Sequence, residues 1–265
     1  MEKVMTERIK IETKNGVAVV MLNRSEAFNA FDLPMVASLA DALVELAADA
    51  AVRGVVISGS GKAFCAGGDL KWALAFRNGP PAAFHELAAR FHSAVTEIRR
   101  MPKPVIAAVN GVAAGGGFSL ALACDFRVLA KSAVLRQTYT SNGLCIDGGG
   151  TFTLPRLAGL ARALEIMAFD QPISADQALS WGLATKVVED GRALSASMEM
   201  AESLAGNALH AFGVAKQLLT DSFDTSFETQ IERERQALAA CAGHGEGREG
   251  LMAFAQKRRP DFRSA

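Results

Sequence analysis

Two glycine-rich stretches in the first half of the chain carry the clearest chemical signal. They run from Gly59 to Asp69 and from Asn110 to Gly117, and each follows an apolar, β-branched run. Glycine lets the backbone approach a ligand closely and tolerates positive φ. Two backbone N–H groups aimed at one point would form an oxyanion hole for a thioester that becomes an enolate. The glycines alone leave ordinary tight turns open as the alternative.

Neither stretch fits a phosphate-binding motif. A P-loop needs glycine five positions before Gly61 and Ser or Thr after Lys62, whereas the chain has Val56 and Ala63 there. Both loops also lack the G-x-G-x-x-G dinucleotide fingerprint with an acid at the right distance. The second stretch opens an apolar helix, Phe118 to Cys124, whose N-terminus favours negative charge. Binding through bare amides is the interpretation that is left.

The apolar pattern predicts an α/β fold in which these loops follow strands. Arg8 to Thr13 and Val17 to Leu22 alternate around Asn15-Gly16, which predicts a hairpin. Val55 to Ile57 and Val105 to Val109 are continuous apolar runs, as expected of strands covered on both faces. Both runs end in glycine-rich sequence, so strand, loop and helix should succeed one another twice.

Helical spacing predicts the helices between and after these strands. Leu33 to Leu46 follows Asp32, a predicted N-cap, and Pro81 to Arg100 predicts a second helix. Beyond Val188 the strand signals stop, and Thr225 to Glu228 matches a capping box at the start of another helix.

The helical tail predicts a division of the chain into a core over residues 1–195 and a helical region over residues 196–265. Amphipathic helices at a chain end either dock on another subunit or cover their own core, and the pattern leaves both open.

Length, composition and charge limit the function classes. The 265 residues are half apolar, enough for a large core, and Lys plus Arg balances Asp plus Glu at 28 each. No overall field would draw the chain to nucleic acid or to an anionic membrane, so an anionic ligand must be held locally. The charged N-terminus lacks a signal-peptide core and no apolar run is long enough to span a bilayer. We expect a cytoplasmic location and no membrane partner.

The cysteines predict neither a disulfide framework nor a zinc site. Cys65, Cys124, Cys145 and Cys241 are irregularly spaced and have no histidines at ligand spacing. Reduced, mostly buried thiols are expected, with Cys65 as packing rather than a nucleophile.

Longer segments carry a family resemblance. Lys62 to Leu70 and Lys103 to Gly111, with Ala114 to Gly117, resemble the signature segments of the enoyl-CoA hydratase/isomerase (crotonase) family. Further similar segments span nearly the whole chain: Leu22 to Arg24, Phe28 to Ala30, Leu154 to Gly159, Ile173 to Ala175, Trp181 to Leu183 and Arg248 to Gly250. The resemblance implies an α/β crotonase-like spiral of ββα units with a C-terminal helical oligomerisation region that builds trimers, often paired into hexamers.

The resemblance also implies site residues. One oxyanion amide falls on Ala66 and the other on Gly116, the middle glycine of the triplet. Other residues implied to bind the acyl-CoA substrate around the first loop are Phe64, Gly67, Gly68, Asp69 and Leu70, although Asp69 better suits a loop-fixing role. Phe254 and Lys257 match positions that reach the nucleotide end of CoA from a neighbouring subunit.

The chain departs from the family hydratases where two glutamates position and deprotonate water. Alignment with the family places Ser119 and Tyr139 there, and neither can act as a carboxylate base near neutral pH. We expect both to shape or hydrogen-bond the acyl pocket. Asp147 instead lies where family isomerases, above all those of phenylacetate breakdown, carry a catalytic aspartate. A single carboxylate suits a 1,3-proton shift, because it can take a proton from one carbon and return it to another.

Several alternatives stay open at this point. Asp147 could cap the helix that begins at the glycines, or act as a nucleophile as in family haloaroyl-CoA dehalogenases. The chain could also be a hydratase with an unconventional base, or an idle CoA-binding subunit. A catalytic Asp147 should lie in a rather apolar pocket that raises its pKa. His92 is expected to be a solvated or satisfied histidine, no metal or redox cofactor is implied, and the acyl group is left open.

Overall fold

The computed structural model describes residues 8–264 and arranges ten strands in two sheets. Strands β1 to β10 span Ile9–Lys14, Val17–Leu22, Gly54–Gly59, Ala63–Cys65, Val105–Val109, Val112–Ala114, Phe126–Ala130, Val134–Arg136, Ile173–Ser174 and Lys186–Val188. The large sheet has the order β1-β2-β3-β5-β7-β10, and the small sheet has the order β4-β6-β8-β9. All pairings are parallel except β1–β2 and β8–β9.

Helices connect and cover these sheets. Helices α1 to α11 span Leu33–Ala48, Leu70–Leu74, Gly79–Arg100, Gly116–Ala123, Gly150–Ala158, Leu160–Phe169, Ala175–Ser180, Ala193–Ala205, Leu209–Asp221, Phe227–Gly243 and Gly245–Ala255. Within residues 8–264, none has the length and apolar character that a bilayer crossing requires. Strands and helices alternate up to β10 and only helices follow it, so the predicted α/β class is confirmed.

A repeating unit brings the two glycine-rich loops together. Three times, a strand of the large sheet is followed directly by a short strand of the small sheet: β3 by β4, β5 by β6 and β7 by β8. Because β4 and β6 are parallel neighbours, their carboxyl ends meet at one edge of the small sheet. The segments that leave this edge are Ala66 to Asp69 and Gly115-Gly116, the two candidate amide loops.

The predicted elements form where their patterns require. Asp32 caps α1 by accepting a hydrogen bond from Met35 N at 3.0 Å, and the hairpin turn has Asn15 and Gly16 at φ 54° and 78°. Strands β3 and β5 are completely buried. One face of the large sheet packs on α1 and α3, and the other packs on α8. The prediction of strands covered on both faces is confirmed.

Two predictions about the C-terminal part need correction. Ser226, one residue later than predicted, caps α10 by accepting from Thr229 N at 3.3 Å, so Thr225 to Glu228 does not form the capping box. The predicted boundary after residue 195 falls inside α8, which packs on the large sheet through Ala201 and Ala205. The helices after α8 leave large apolar side chains exposed, and their docking on another subunit stays a prediction.

Candidate active site

A cavity of about 240 Å³ lies where the two glycine-rich loops face α3 and the loop before α5. It is lined by Phe31, Ala66, Gly68, Leu70, Phe84, Leu87, Phe91, Gly115, Gly116, Thr138, Tyr139, Asn142, Leu144 and Asp147. Most of this wall is apolar or aromatic, and Asp147 is the one carboxylate among the lining residues. A cavity of this kind, with a few polar groups converging in an apolar wall, is typical of a small-molecule site.

The two loops are in direct contact, and glycine is what allows it. A Cβ atom on Gly67 would lie 2.7 Å from Ala114 O and 2.9 Å from Gly116 N, and Gly67 has φ 89°. A Cβ atom on Gly117 would lie 2.1 Å from Cys65 O. Side chains at these positions would force the loops apart, so the glycines hold the two sets of amides next to each other.

In the first loop, three of the four amides already have acceptors. Ala66 N donates to Phe28 O at 3.0 Å and Asp69 N donates to Phe31 O at 2.9 Å. Gly67 N donates to Cys65 Sγ at 3.4 Å. Among the described residues, Gly68 N has no acceptor, and Gly68 lines the cavity.

The prediction that Ala66 supplies the oxyanion amide is therefore wrong. Its N–H group already donates a hydrogen bond to Phe28 O, although other atoms of Ala66 line the cavity. The amide available in this loop is that of Gly68, a residue predicted to bind the substrate but not to supply this hydrogen bond.

In the second loop, the amide of Gly116 is available as predicted. Gly115 N donates to Arg136 O at 3.0 Å, and the first intrahelical bond of α4 runs from Ser119 N to Gly115 O at 3.0 Å. Gly116 is the first residue of α4, so its N–H group has no partner within the helix. It lines the same cavity as Gly68. The amides of Gly68 and Gly116, which have no acceptor among the described residues, thus border one cavity. The amide of Gly116 belongs to a helix N-terminus, which favours negative charge.

Asp147 lies in a network on the opposite loop. The Tyr139 hydroxyl donates a short hydrogen bond to Asp147 Oδ1, and His92 Nε2 lies 4.0 Å from Oδ2. Burial raises the pKa of Asp147, while the Tyr139 hydrogen bond and His92 act against that rise. The expected apolar pocket and raised pKa are confirmed. The pKa of Tyr139 is also raised, by burial and by the Asp147 charge, which keeps the phenol protonated as a donor.

The capping alternative for Asp147 does not hold. Helix α5 begins after Gly149, and no side chain caps it. The Asp147 side chain is directed to Tyr139 instead, and it is 34 % exposed. His92 is a satisfied histidine, as expected: its Nε2 accepts a hydrogen bond from Gly148 N at 3.2 Å.

Ser119 lies behind the cavity rather than in its wall. It is 1 % exposed, and a Cβ atom on Gly150 would lie 2.8 Å from Ser119 Oγ. A Cβ atom on Gly148 would lie 3.0 Å from Ser119 Cβ. Ser119 also interacts with the Tyr139 hydroxyl and favours its ionised form. It therefore shapes the pocket indirectly, by letting the Asp147 loop pack closely.

The remaining predicted residues divide between the cavity and the scaffold. Leu70 lines the cavity, whereas Phe64 is fully buried in the core and does not line it, which corrects its predicted binding role. Asp69 caps α2 by accepting from Trp72 N at 3.0 Å and pairs with Arg24 at 2.7 Å. Asp69 thus fixes the loop, as the alternative for this residue foresaw.

Two other outcomes concern Cys65 and the end of the chain. Burial raises the pKa of the Cys65 thiol to about 12, so its predicted packing role is confirmed. Phe254 at the end of α11 is 85 % exposed, and neither it nor Lys257 lines the cavity of its own chain. Their predicted contact with CoA bound to a neighbouring subunit stays a prediction.

Several lining residues were not identified from the sequence. Phe84, Leu87 and Phe91 lie on one face of α3 at helical spacing, a signal that was present in the sequence. Phe31 and Leu144 come from loops, and only the tertiary fold brings them to the cavity.

Known proteins with similar sequences and structures belong to one enzyme family. A family model described as enoyl-CoA hydratase/isomerase matches residues 12–265. The chain is 36 % identical to the 1,2-epoxyphenylacetyl-CoA isomerase of Escherichia coli (strain K12), over 97 % of this chain and 99 % of that protein. It is 31 % identical to 4-chlorobenzoyl coenzyme A dehalogenase-2 of Arthrobacter sp., over 94 % of this chain and 91 % of that protein. The crystal structure of an enoyl-CoA hydratase from Polaromonas sp. JS666 superposes with a TM-score of 0.91 at 38 % identity, covering 96 % of this chain and 98 % of that one.

Proposed function

This chain belongs to the enoyl-CoA hydratase/isomerase family and has the crotonase fold, and we propose that it moves the double bond of an enoyl-CoA by a 1,3-proton shift. The observation that carries the proposal is Asp147. It is the one carboxylate among the residues lining a mostly apolar cavity, and burial raises its pKa. The amides of Gly68 and Gly116, which have no acceptor among the described residues, border the same cavity. The family acts on acyl-CoA substrates, so the acyl thioester is the ligand expected there.

In the proposed mechanism, the amides and the carboxylate act on neighbouring atoms. The thioester oxygen accepts hydrogen bonds from Gly68 N and Gly116 N. Asp147 removes a proton from one carbon of the allylic system, and the electron pair moves onto the thioester as an enolate. Asp147 then returns the proton to the other terminal carbon, so no water is consumed and no electrons leave the substrate. Each amide would contribute roughly 3 to 4 kcal/mol to lowering the barrier.

The neighbours of Asp147 support proton transfer over hydration. The hydratase glutamate positions are occupied by Ser119, which is packed against glycine backbone, and Tyr139, whose hydroxyl is committed to Asp147. Neither offers a second carboxylate for activating water. One carboxylate with a raised pKa is sufficient for a reaction that takes and returns a single proton.

The decisive experiment compares the parent protein with Asp147→Asn. The parent should convert a 3-enoyl-CoA into the conjugated 2-enoyl-CoA, followed by the ultraviolet absorbance of the conjugated thioester. The variant should lose roughly 10²- to 10⁴-fold in kcat, the usual range for a general base, while calorimetry shows unchanged CoA binding. Unchanged turnover would remove Asp147 from the mechanism. Absence of turnover of any acyl-CoA by the parent would favour an idle CoA-binding subunit.

A second candidate function rests on the distance of 4.0 Å between His92 Nε2 and Asp147 Oδ2. In hydrolytic dehalogenation, Asp147 would attack a ring carbon activated by the thioester, and halide would leave. His92 Nε2, after giving up its hydrogen bond from Gly148 N, would then deprotonate a water. That water would attack the carboxyl carbon of the resulting ester and release the hydroxyaryl-CoA. The similarity to a 4-chlorobenzoyl coenzyme A dehalogenase favours testing it. Sustained chloride release from 4-chlorobenzoyl-CoA that His92→Asn reduces to a single burst of about one chloride per active site would support this function over isomerisation.

A further inference from the structure

A second cavity, of about 460 Å³, lies between the C-terminal end of α3, helix α5 and helix α9. It shares no lining residue with the candidate active site. Three arginines, Arg99, Arg127 and Arg156, lie on its wall together with Lys216, Asp125 and apolar and aromatic side chains. Arg127 is buried and already donates to Leu183 O and Cys124 O, which leaves Arg99 and Arg156 as the arginines that can take an outside anion. The mechanism proposed above uses none of these residues.

Both guanidinium groups are stacked on one aromatic ring. Arg156 Cζ lies 3.4 Å and Arg99 Cζ lies 4.4 Å from the centroid of Phe152, and Arg156 Cζ lies 4.7 Å from that of Phe223. Stacking on the ring faces offsets part of the repulsion between the two cations. Burial lowers the pKa of Arg99, Arg100 and Arg156 lower it further, and Asp221 and Asp224 act against that fall. The cavity wall carries four cationic side chains and one carboxylate, so the local potential is positive.

Two acids near this cavity, Asp125 and Asp221, are already paired with other cations, and a third, Asp224, acts on Arg99 without forming an ion pair among the described residues. Asp125 accepts a hydrogen bond from Lys216 Nζ at 2.8 Å, and Asp221 pairs with Arg100 at 3.0 Å. Within residues 8–264, neither Arg99 nor Arg156 forms an ion pair. Their donors are thus available to an anion from outside this part of the chain, apart from the bond from Arg156 Nη1 to Phe152 O at 3.0 Å.

The rest of the wall selects among anions. Leu219 and Phe223 border the cavity with 71 % and 64 % of their surface exposed, and Phe212 and Leu157 add further apolar surface. A small inorganic anion would leave this surface uncovered, and a neutral apolar molecule would leave the guanidinium groups unpaired. We propose that the cavity binds an amphipathic carboxylate, with its carboxyl group on Arg99 and Arg156 and its apolar body against Phe152, Phe223 and Leu219.

Calorimetric titration of the full-length protein with octanoate tests this site. Octanoate should bind, and its affinity should fall at least tenfold in Arg99→Gln and in Arg156→Gln, because each loses one charge-assisted contact. Arg100→Gln is the matched control and should keep the affinity, since Arg100 pairs with Asp221 outside the cavity. Asp147→Asn should also keep it, which separates this site from the acyl cavity. Octanamide, which lacks the charge, should bind at least tenfold more weakly than octanoate.

Other results would overturn the proposal. Equal octanoate affinity in the parent and in both glutamine variants would place the ligand elsewhere. If Arg156→Gln has a lowered melting temperature, Arg156→Lys replaces it in the test, because lysine keeps the charge but lacks the planar guanidinium group. Undiminished octanoate affinity in both Arg156→Lys and Arg99→Gln would count against the site. If octanoate does not bind to the parent, and light scattering gives Arg156→Glu a smaller particle mass than the parent, the cavity is an interface between copies of the chain instead of a ligand site.

Discussion

The two sides of the candidate active site are built on different principles. One side is backbone: Gly68 N and Gly116 N are exposed by two loops that touch through glycine, and their position depends on the pairing of β4 with β6. The other side is a network of side chains, in which His92 on α3 meets Tyr139 and Asp147 on the connection between β8 and α5. A side-chain substitution can dismantle the second side one group at a time, whereas the first responds only to changes in backbone conformation or in the amide itself.

Deleting one amide N–H group tests the backbone side, and its expected effect is the largest of those that follow. Gly68→Pro deletes the N–H group, which the bonds from Phe31 N to Gly67 O and from Asp69 N to Phe31 O do not use. We expect a loss of roughly 10²- to 10³-fold in kcat. The carbonyl stretch of a bound acyl-CoA, measured by infrared difference spectroscopy, should move toward its value in water.

Gly68→Ala is the control for that substitution. Its Cβ atom would meet Leu87 and Phe84 at 3.7 Å, an ordinary contact, and it keeps the amide. Activity within a few-fold of the parent for alanine, with a large loss for proline, would assign the effect to the N–H group. Equal losses in the two variants would mean that shape, and not the hydrogen bond, matters at this position.

Adding a carboxylate behind the network tests whether the chain can be returned to hydratase chemistry. Ser119→Glu restores an acid at a hydratase position, but Ser119 packs against Gly148 and Gly150, so the longer side chain must displace the Asp147 loop. We expect the free energy of unfolding to fall by roughly 1 to 3 kcal/mol, as for overpacked cores, without gain of 2-enoyl-CoA hydration. Ser119→Ala should be nearly neutral. Efficient hydration by the glutamate variant would show that the pocket accommodates the longer side chain, contrary to the close packing of Ser119 against Gly148 and Gly150.

Removing one donor from the network should shift the pH dependence. The Tyr139 hydrogen bond lowers the pKa of Asp147 against the rise caused by burial. Tyr139→Phe therefore raises that pKa further, and the acidic limb of the kcat/KM profile should move to higher pH, because Asp147 must be ionised to accept a proton. The loss at neutral pH should be smaller than that of Gly68→Pro. A limb that stays in place would show that another group titrates.

The smallest predicted effect is on stability. Because the pKa of Asp147 is raised in the folded protein, folding is favoured below the ordinary aspartate pKa and disfavoured as pH rises through the raised value. Asp147→Asn removes this penalty and should raise the melting temperature slightly at neutral pH, with the gain disappearing in acid. A lowered melting temperature at neutral pH would indicate that the ionised carboxylate stabilises the fold.

The same comparison explains what could be predicted from the sequence. The buried strands, the α1 cap and the character of the Asp147 pocket follow from periodicity, local capping rules and the recognised segments. The choice between Ala66 and Gly68 does not, because it depends on which way each peptide faces, and Phe28 O and Phe31 O decide that from an earlier part of the chain. The predicted binding role of Phe64 was wrong for a related reason: a position next to a binding loop does not determine whether the side chain faces the ligand or the core.

A crystal structure with a bound saturated acyl-CoA, which cannot isomerise, tests the central claim most directly. The thioester oxygen should lie about 3 Å from both Gly68 N and Gly116 N, with a carboxylate oxygen of Asp147 facing the carbons next to the carbonyl. A thioester oxygen held by other groups, or an Asp147 side chain turned away from the acyl chain, would contradict the account.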